Sequence, residues 1–107
     1  MLTPGQIAHY HTFGFLVLRQ VFTPVEFADI TREANDIWRE DHDKQPENPY
    51  QIVVPFVEQR PFLAHLPEDD RIYLPIVDLL GSGFGWGGSE GHKGSFTEEN
   101  LLQWHAD

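Results

Sequence analysis

The pattern Thr-Pro-x-Gln/Glu occurs twice, as Thr3-Pro4-Gly5-Gln6 and Thr23-Pro24-Val25-Glu26, and each copy marks where a helix must begin. Thr at the N-cap offers its hydroxyl to an orphan backbone N–H. Pro at the first helical position loses no useful donor, and Gln or Glu two residues after it reaches back to the cap. The first copy predicts a helix over residues 4–13 that buries Ile7, Tyr10 and His11, with Gly14 supplying the left-handed turn that ends it. Residues 15–18, Phe-Leu-Val-Leu, then read as a short buried strand. The second copy opens a longer helix, from Pro24 to about Asp41, in which Phe27, Ile30, Ala34, Ile37 and Trp38 recur on one face.

Beyond it, residues 43–49 are polar and contain two prolines, which marks a loop. Residues 51–57 suit a strand, demoted to an edge or a bulge by Pro55. A third helix is expected over residues 70–80, apolar at Ile72, Tyr73, Ile76, Val77 and Leu80. Pro75 falls in its first turn or kinks it, and Gly81 closes it. Residues 81–91 then place six glycines among Phe84 and Trp86. The Gly-Lys-Ser/Thr of a phosphate-cradling loop is missing, so residues 84–90 read as an irregular strand, 91–100 as a loop and 101–107 as a further strand.

Composition narrows the function classes. With 40% hydrophobic and 13% aromatic residues in 107, the chain can pack a core and fits one small domain or a piece of a larger one. A formal charge of -10 with seven Lys+Arg opposes attraction to nucleic acid or to an anionic membrane surface. No cysteine is present, which removes disulfides, thiolate catalysis and Cys-based metal sites, so any metal must take His, Asp or Glu. No basic leader or run of about 20 apolar residues is seen, and a cytoplasmic location is expected.

Among the six histidines one constellation stands out. His105 and Asp107 are two apart in an expected strand, so imidazole and carboxylate project to the same side and can meet on one metal ion. Non-haem Fe(II) oxygenases use two His and one carboxylate, so this pair supplies two of three ligands. An ordinary histidine beside a polar segment is the competing reading. His9 and His11 lie about 200° apart around a helix and cannot converge. Asp41-His42-Asp43 reads as a charged helix end, His65 as structural, and His92 as a loop residue that approaches the His105 cavity if neighbouring strands pair. Glu68-Asp69-Asp70 and Glu98-Glu99 sit where capping and solvation account for them.

Taken in order, residues 2–7 (Leu-Thr-Pro-Gly-Gln-Ile), 14–18 (Gly-Phe-Leu-Val-Leu), 21–24 (Val-Phe-Thr-Pro), 75–81 (Pro-Ile-Val-Asp-Leu-Leu-Gly), 86–91 (Trp-Gly-Gly-Ser-Glu-Gly) and the closing Trp104-His105-Ala106-Asp107 resemble the front part of the phytanoyl-CoA dioxygenase family. The resemblance implies an α+β fold in which N-terminal helices and first strands lead into a double-stranded β-helix, a cupin-like jelly roll. Residues 1–107 then form the N-terminal part of a single domain whose barrel is incomplete. It implies Fe(II) held by His105 and Asp107, with 2-oxoglutarate as co-substrate. The family couples conversion of 2-oxoglutarate to succinate and CO2 with hydroxylation of an unactivated C–H bond of a small-molecule substrate.

The family's distal His and its 2-oxoglutarate-anchoring Arg have no counterpart here, so a truncated, inactive chain is expected. Contacts to 2-oxoglutarate are to be sought in residues 89–93, where His92 stands in place of the side-chain amide of many relatives. Unpaired strand edges invite self-association. The alternative is a non-catalytic binding or assembly module derived from that family, in which a dimer shares two His-x-Asp pairs.

Overall fold

The computed structural model describes residues 1–94, and they form an α+β arrangement of helices and one two-stranded antiparallel sheet. Both Thr-Pro starts form complete capping boxes. Gln6 N–H donates to Thr3 Oγ1 at 3.2 Å while Thr3 N–H donates to Gln6 Oε1 at 2.8 Å, and α1 runs Pro4–Phe13. Gly14 ends it in the left-handed region at φ 79° and donates its N–H to the Tyr10 carbonyl. Thr23 and Glu26 repeat the exchange at 3.3 and 2.8 Å to open α2, Pro24–Lys44, which extends past Asp41 through the charged Asp-His-Asp run. His11 is exposed, against expectation, and so is Phe27 on α2.

Residues 15–18 are not a strand. Phe15 and Val17 are more than half exposed, and no strand among the described residues pairs with the segment. Apolar content had predicted burial, but a strand needs a partner ladder before its apolar face is covered.

β1 spans Tyr50–Val53 and stops before Pro55, which lacks the N–H a longer ladder needs. A 3-10 turn at Val57–Gln59, the single-turn helix α3 at Pro61–Ala64 and a second 3-10 turn at Leu66–Glu68 then reverse the chain. None of these three was evident from periodicity, because each is too short to show one. α4 occupies Asp70–Leu80, with Asp69 capping the Arg71 N–H at 2.9 Å and Pro75 accommodated inside the helix. The second strand lies later than expected: residues 84–90 form no strand, and β2 is Gly91–Gly94, within the expected loop. The expected strand over 101–107 falls outside the described residues.

β1 and β2 pair antiparallel, Tyr50 with Gly94, Gln51 with Lys93, Ile52 with His92 and Val53 with Gly91. Side chains alternate across such a ribbon. Gln51, Val53, Gly91 and Lys93 face α2: the Gln51 amide donates to the Trp38 carbonyl and to Asp41 Oδ2, both at 2.9 Å, and Lys93 Nζ lies 5.9 Å from the Trp38 ring. Among the described residues the buried hydrophobic side chains are Ile37, Val53 and Leu63, flanked by Ile30, Trp38, Phe56, Val57 and Leu66. The core therefore sits between α2, α3 and one face of the ribbon.

Candidate functional site

The opposite face of the ribbon presents Tyr50, Ile52 and His92. In register Tyr50 lies diagonally from His92, close enough for the phenol oxygen to sit 2.9 Å from His92 Nδ1. His92 Nε2 is 3.2 Å from Glu90 Oε2. A carboxylate only accepts, so the neutral imidazole donates from Nε2 to Glu90, and Nδ1 is left to accept from the Tyr50 hydroxyl. Glu90 thereby selects the tautomer and His92 orients Tyr50.

On the sequence side of that strand, the glycine-rich segment is pinned to the turn after β1. Ser89 Oγ accepts the backbone N–H groups of Phe56 and Val57 at 3.2 and 2.9 Å and donates to Glu58 Oε2 at 2.5 Å. The other oxygen of Glu58 accepts the Trp86 indole N–H at 2.9 Å. Hydrogen bonding by Ser89, with the Trp86 indole adding to it, holds the Glu58 carboxyl below its usual range. Gly91 then enters β2 under Trp38 and Phe56. A Cβ there would come within 2.3 Å of Phe56 Cδ2, so no other residue fits without movement.

Residues 89–93, expected to hold co-substrate contacts, thus divide three ways. Ser89 is consumed in fastening the chain, Gly91 and Lys93 turn toward α2, and Glu90 and His92 remain on the open side. His92 is a strand residue and not the loop residue expected. Its partners Tyr50 and Glu90 escaped sequence reasoning, since Tyr50 and His92 stand 42 positions apart and nothing local links them.

Among the described residues the remaining histidines join no metal-holding group. His9 packs against the rings of Phe13 and Phe15 at 4.7 and 5.2 Å, and exposed His65 lies 3.6 Å from Glu68. Asp41 is used by Gln51. Among the described residues no group of three or more His, Asp or Glu side chains could hold a metal ion, and no helix is long and apolar enough to cross a membrane. His105 and Asp107, the expected iron ligands, lie outside the described residues.

A second concavity, an apolar cleft of about 520 Å³, opens where α4 and the turns around α3 meet the glycine-rich segment. Phe22, Tyr73, Phe84 and Trp86 line it, with Glu68 as its charged lining residue. Comparison with protein-family models, with curated proteins and with solved structures finds no match to this chain.

Proposed function

We propose that the chain is the front part of an Fe(II)- and 2-oxoglutarate-dependent dioxygenase of the phytanoyl-CoA dioxygenase type, with His105 and Asp107 as two of three iron ligands. The observation that carries the reading is the one-sided ribbon. α2 covers one face of β1–β2, while the other bears an ordered polar set, Tyr50, His92 and Glu90, beside Ile52 at 54% exposure. A barrel sheet with helices outside and a polar interior would look the same from its first two strands. An imidazole nitrogen and a carboxylate oxygen also suit ferrous iron as donors.

When bound, the metal would supply oxygen activation. The chain's own residues would hold it from one side and present Tyr50 and His92 to whatever fills the cavity. Lacking the distal His and the anchoring Arg, the 107 residues bind metal weakly and do not turn over 2-oxoglutarate.

Titration with Co(II), an oxygen-stable stand-in, tests this. Saturable binding is expected that is lost in His105→Ala and in Asp107→Ala but kept in His92→Ala. With Fe(II), 2-oxoglutarate and O2, no succinate should form. Metal binding indifferent to both ligand substitutions would overturn the iron reading, and succinate formation abolished by His105→Ala would overturn the incompleteness.

The assembly-module reading is favoured by one feature, the neighbouring bare apolar side chains Ile52 and Val54, the latter 61% exposed. Sedimentation separates it: a dimer taking one metal per two chains supports a shared site, and a monomer removes it.

A further inference from the structure

The lining of the aromatic cleft includes none of Tyr50, Ile52, Glu90 and His92 from the ribbon face, and its construction is unlike a mere packing defect. Its outer wall is the segment from Phe84 to Trp86, which is held at two points. Phe84 leans on Tyr73 with ring centroids 5.5 Å apart, and the Trp86 indole N–H is fixed by Glu58 at 2.9 Å. Trp86 is nevertheless 59% exposed. A large ring whose polar atom is satisfied and whose faces are left bare is a platform prepared for contact. The glycines around it, Gly83, Gly85 and Gly87, have no described atom within 4 Å of where a Cβ would lie. The volume, about 520 Å³, lies within the range of small-molecule sites.

Charge selects among ligands. Among the described residues no Lys or Arg lines the cleft, and the one charged lining residue is Glu68. Glu58 adds a second carboxylate directly behind Trp86. Arg71 is stacked on the Phe22 ring at 4.6 Å and already spent on Glu26 and Asp69 at 3.0 and 2.7 Å. With Phe22 already covered by Arg71, the rings of Tyr73, Phe84 and Trp86 and the Glu68 carboxylate in the lining attract a positive charge and repel an anion. We propose that this cleft binds a small apolar cation, an aryl- or alkylammonium whose hydrocarbon body fills the floor at Ile72 and Ile76 while its charge lies against Trp86 and Glu68.

The site stands independently of the iron reading. Its test is titration of the full chain with benzyltrimethylammonium, its neutral isostere neopentylbenzene and the anion phenylacetate, following the Trp86 indole N–H resonance. The cation is expected to saturate and shift that resonance, binding roughly tenfold tighter than the neutral isostere, with no binding of the anion. Glu68→Gln, an exposed change that leaves the fold intact, should weaken the cation roughly threefold at low salt and leave the neutral probe unchanged. Trp86→Ala, followed through the Tyr73 ring resonances because its own indole is gone, should abolish the preference for the cation, with circular dichroism confirming that the fold persists. Equal binding of cation and neutral isostere, no saturation, or a cation affinity indifferent to both substitutions would overturn the proposal. So would a self-associated chain whose dimer dissociates in Trp86→Ala, which would assign the cleft to a second copy.

Discussion

At the scale of the residue, glycine content was plain in the sequence but the division of labour among glycines was not. Gly91 lies where a methyl group would press on Phe56 Cδ2 at 2.3 Å and on Trp38 Cη2 at 2.7 Å, and those two rings already pack on each other at 4.7 Å. Gly83 has nothing within 4 Å. Gly91→Ala should therefore cost about 2 kcal/mol through overpacking. Gly83→Ala should be neutral or slightly stabilising, by restricting the unfolded chain. Chemical denaturation of the two variants checks this, and equal destabilisation would deny that Gly91 is there for close approach. The same limit governed the candidate site. His92 was visible as a histidine, but its bonding to Tyr50 depends on a strand register that no local pattern encodes.

At the scale of the element, Arg71 ties two helix starts together. Its guanidinium meets Glu26 in the capping box of α2 and Asp69 at the N-cap of α4, and it also reaches the Val21 carbonyl at 3.4 Å. Hydrogen bonding from Arg71 is the chief reason Glu26 falls from 4.5 to about 2 and Asp69 from 3.8 to about 2. Both carboxyls have folded pKa values below their unfolded ones. Their contribution is therefore fully present above the ordinary carboxylate range and is lost as pH falls through about 2. Melting temperature should drop between about pH 5 and pH 2, and Arg71→Met should flatten that fall. An unchanged acid limb in the variant would remove Arg71 from this role.

These helices were legible because their signals are local. Capping residues and the period of α2 and α4 place Pro4–Phe13 and Asp70–Leu80 at the expected bounds. The expected strands at 15–18 and 84–90 were misplaced because β pairing is not local: apolar residues 15–18 pair with no strand among the described residues, whereas Gly91–Gly94, with hardly an apolar side chain, pairs with β1.

At the scale of the molecule, the radius of gyration is 16.3 Å, against about 13 Å for a compact domain of this length. Among the described residues the buried hydrophobic side chains are Ile37, Val53 and Leu63, while Phe13, Phe15, Val17, Ile52 and Val54 all remain more than half exposed. So much apolar surface exposed among the described residues is of the kind that marks contact sites.

The ribbon also dictates an order of events. Its two strands meet across 42 residues, measured from Tyr50 to His92, with α3, α4 and both 3-10 turns in between. Closing a loop of that length costs roughly 3 kcal/mol before the first cross-strand bond forms, whereas the turns of α2 close locally. β1 and β2 should be the last structure to assemble and the first to open. In hydrogen exchange their amides should be protected less than those around Ile37 in the middle of α2, and a ribbon exchanging as slowly as α2 would show instead that the two form one cooperative unit. A face that opens before the rest of the protein can be remade around a partner without unfolding the helices that carry it.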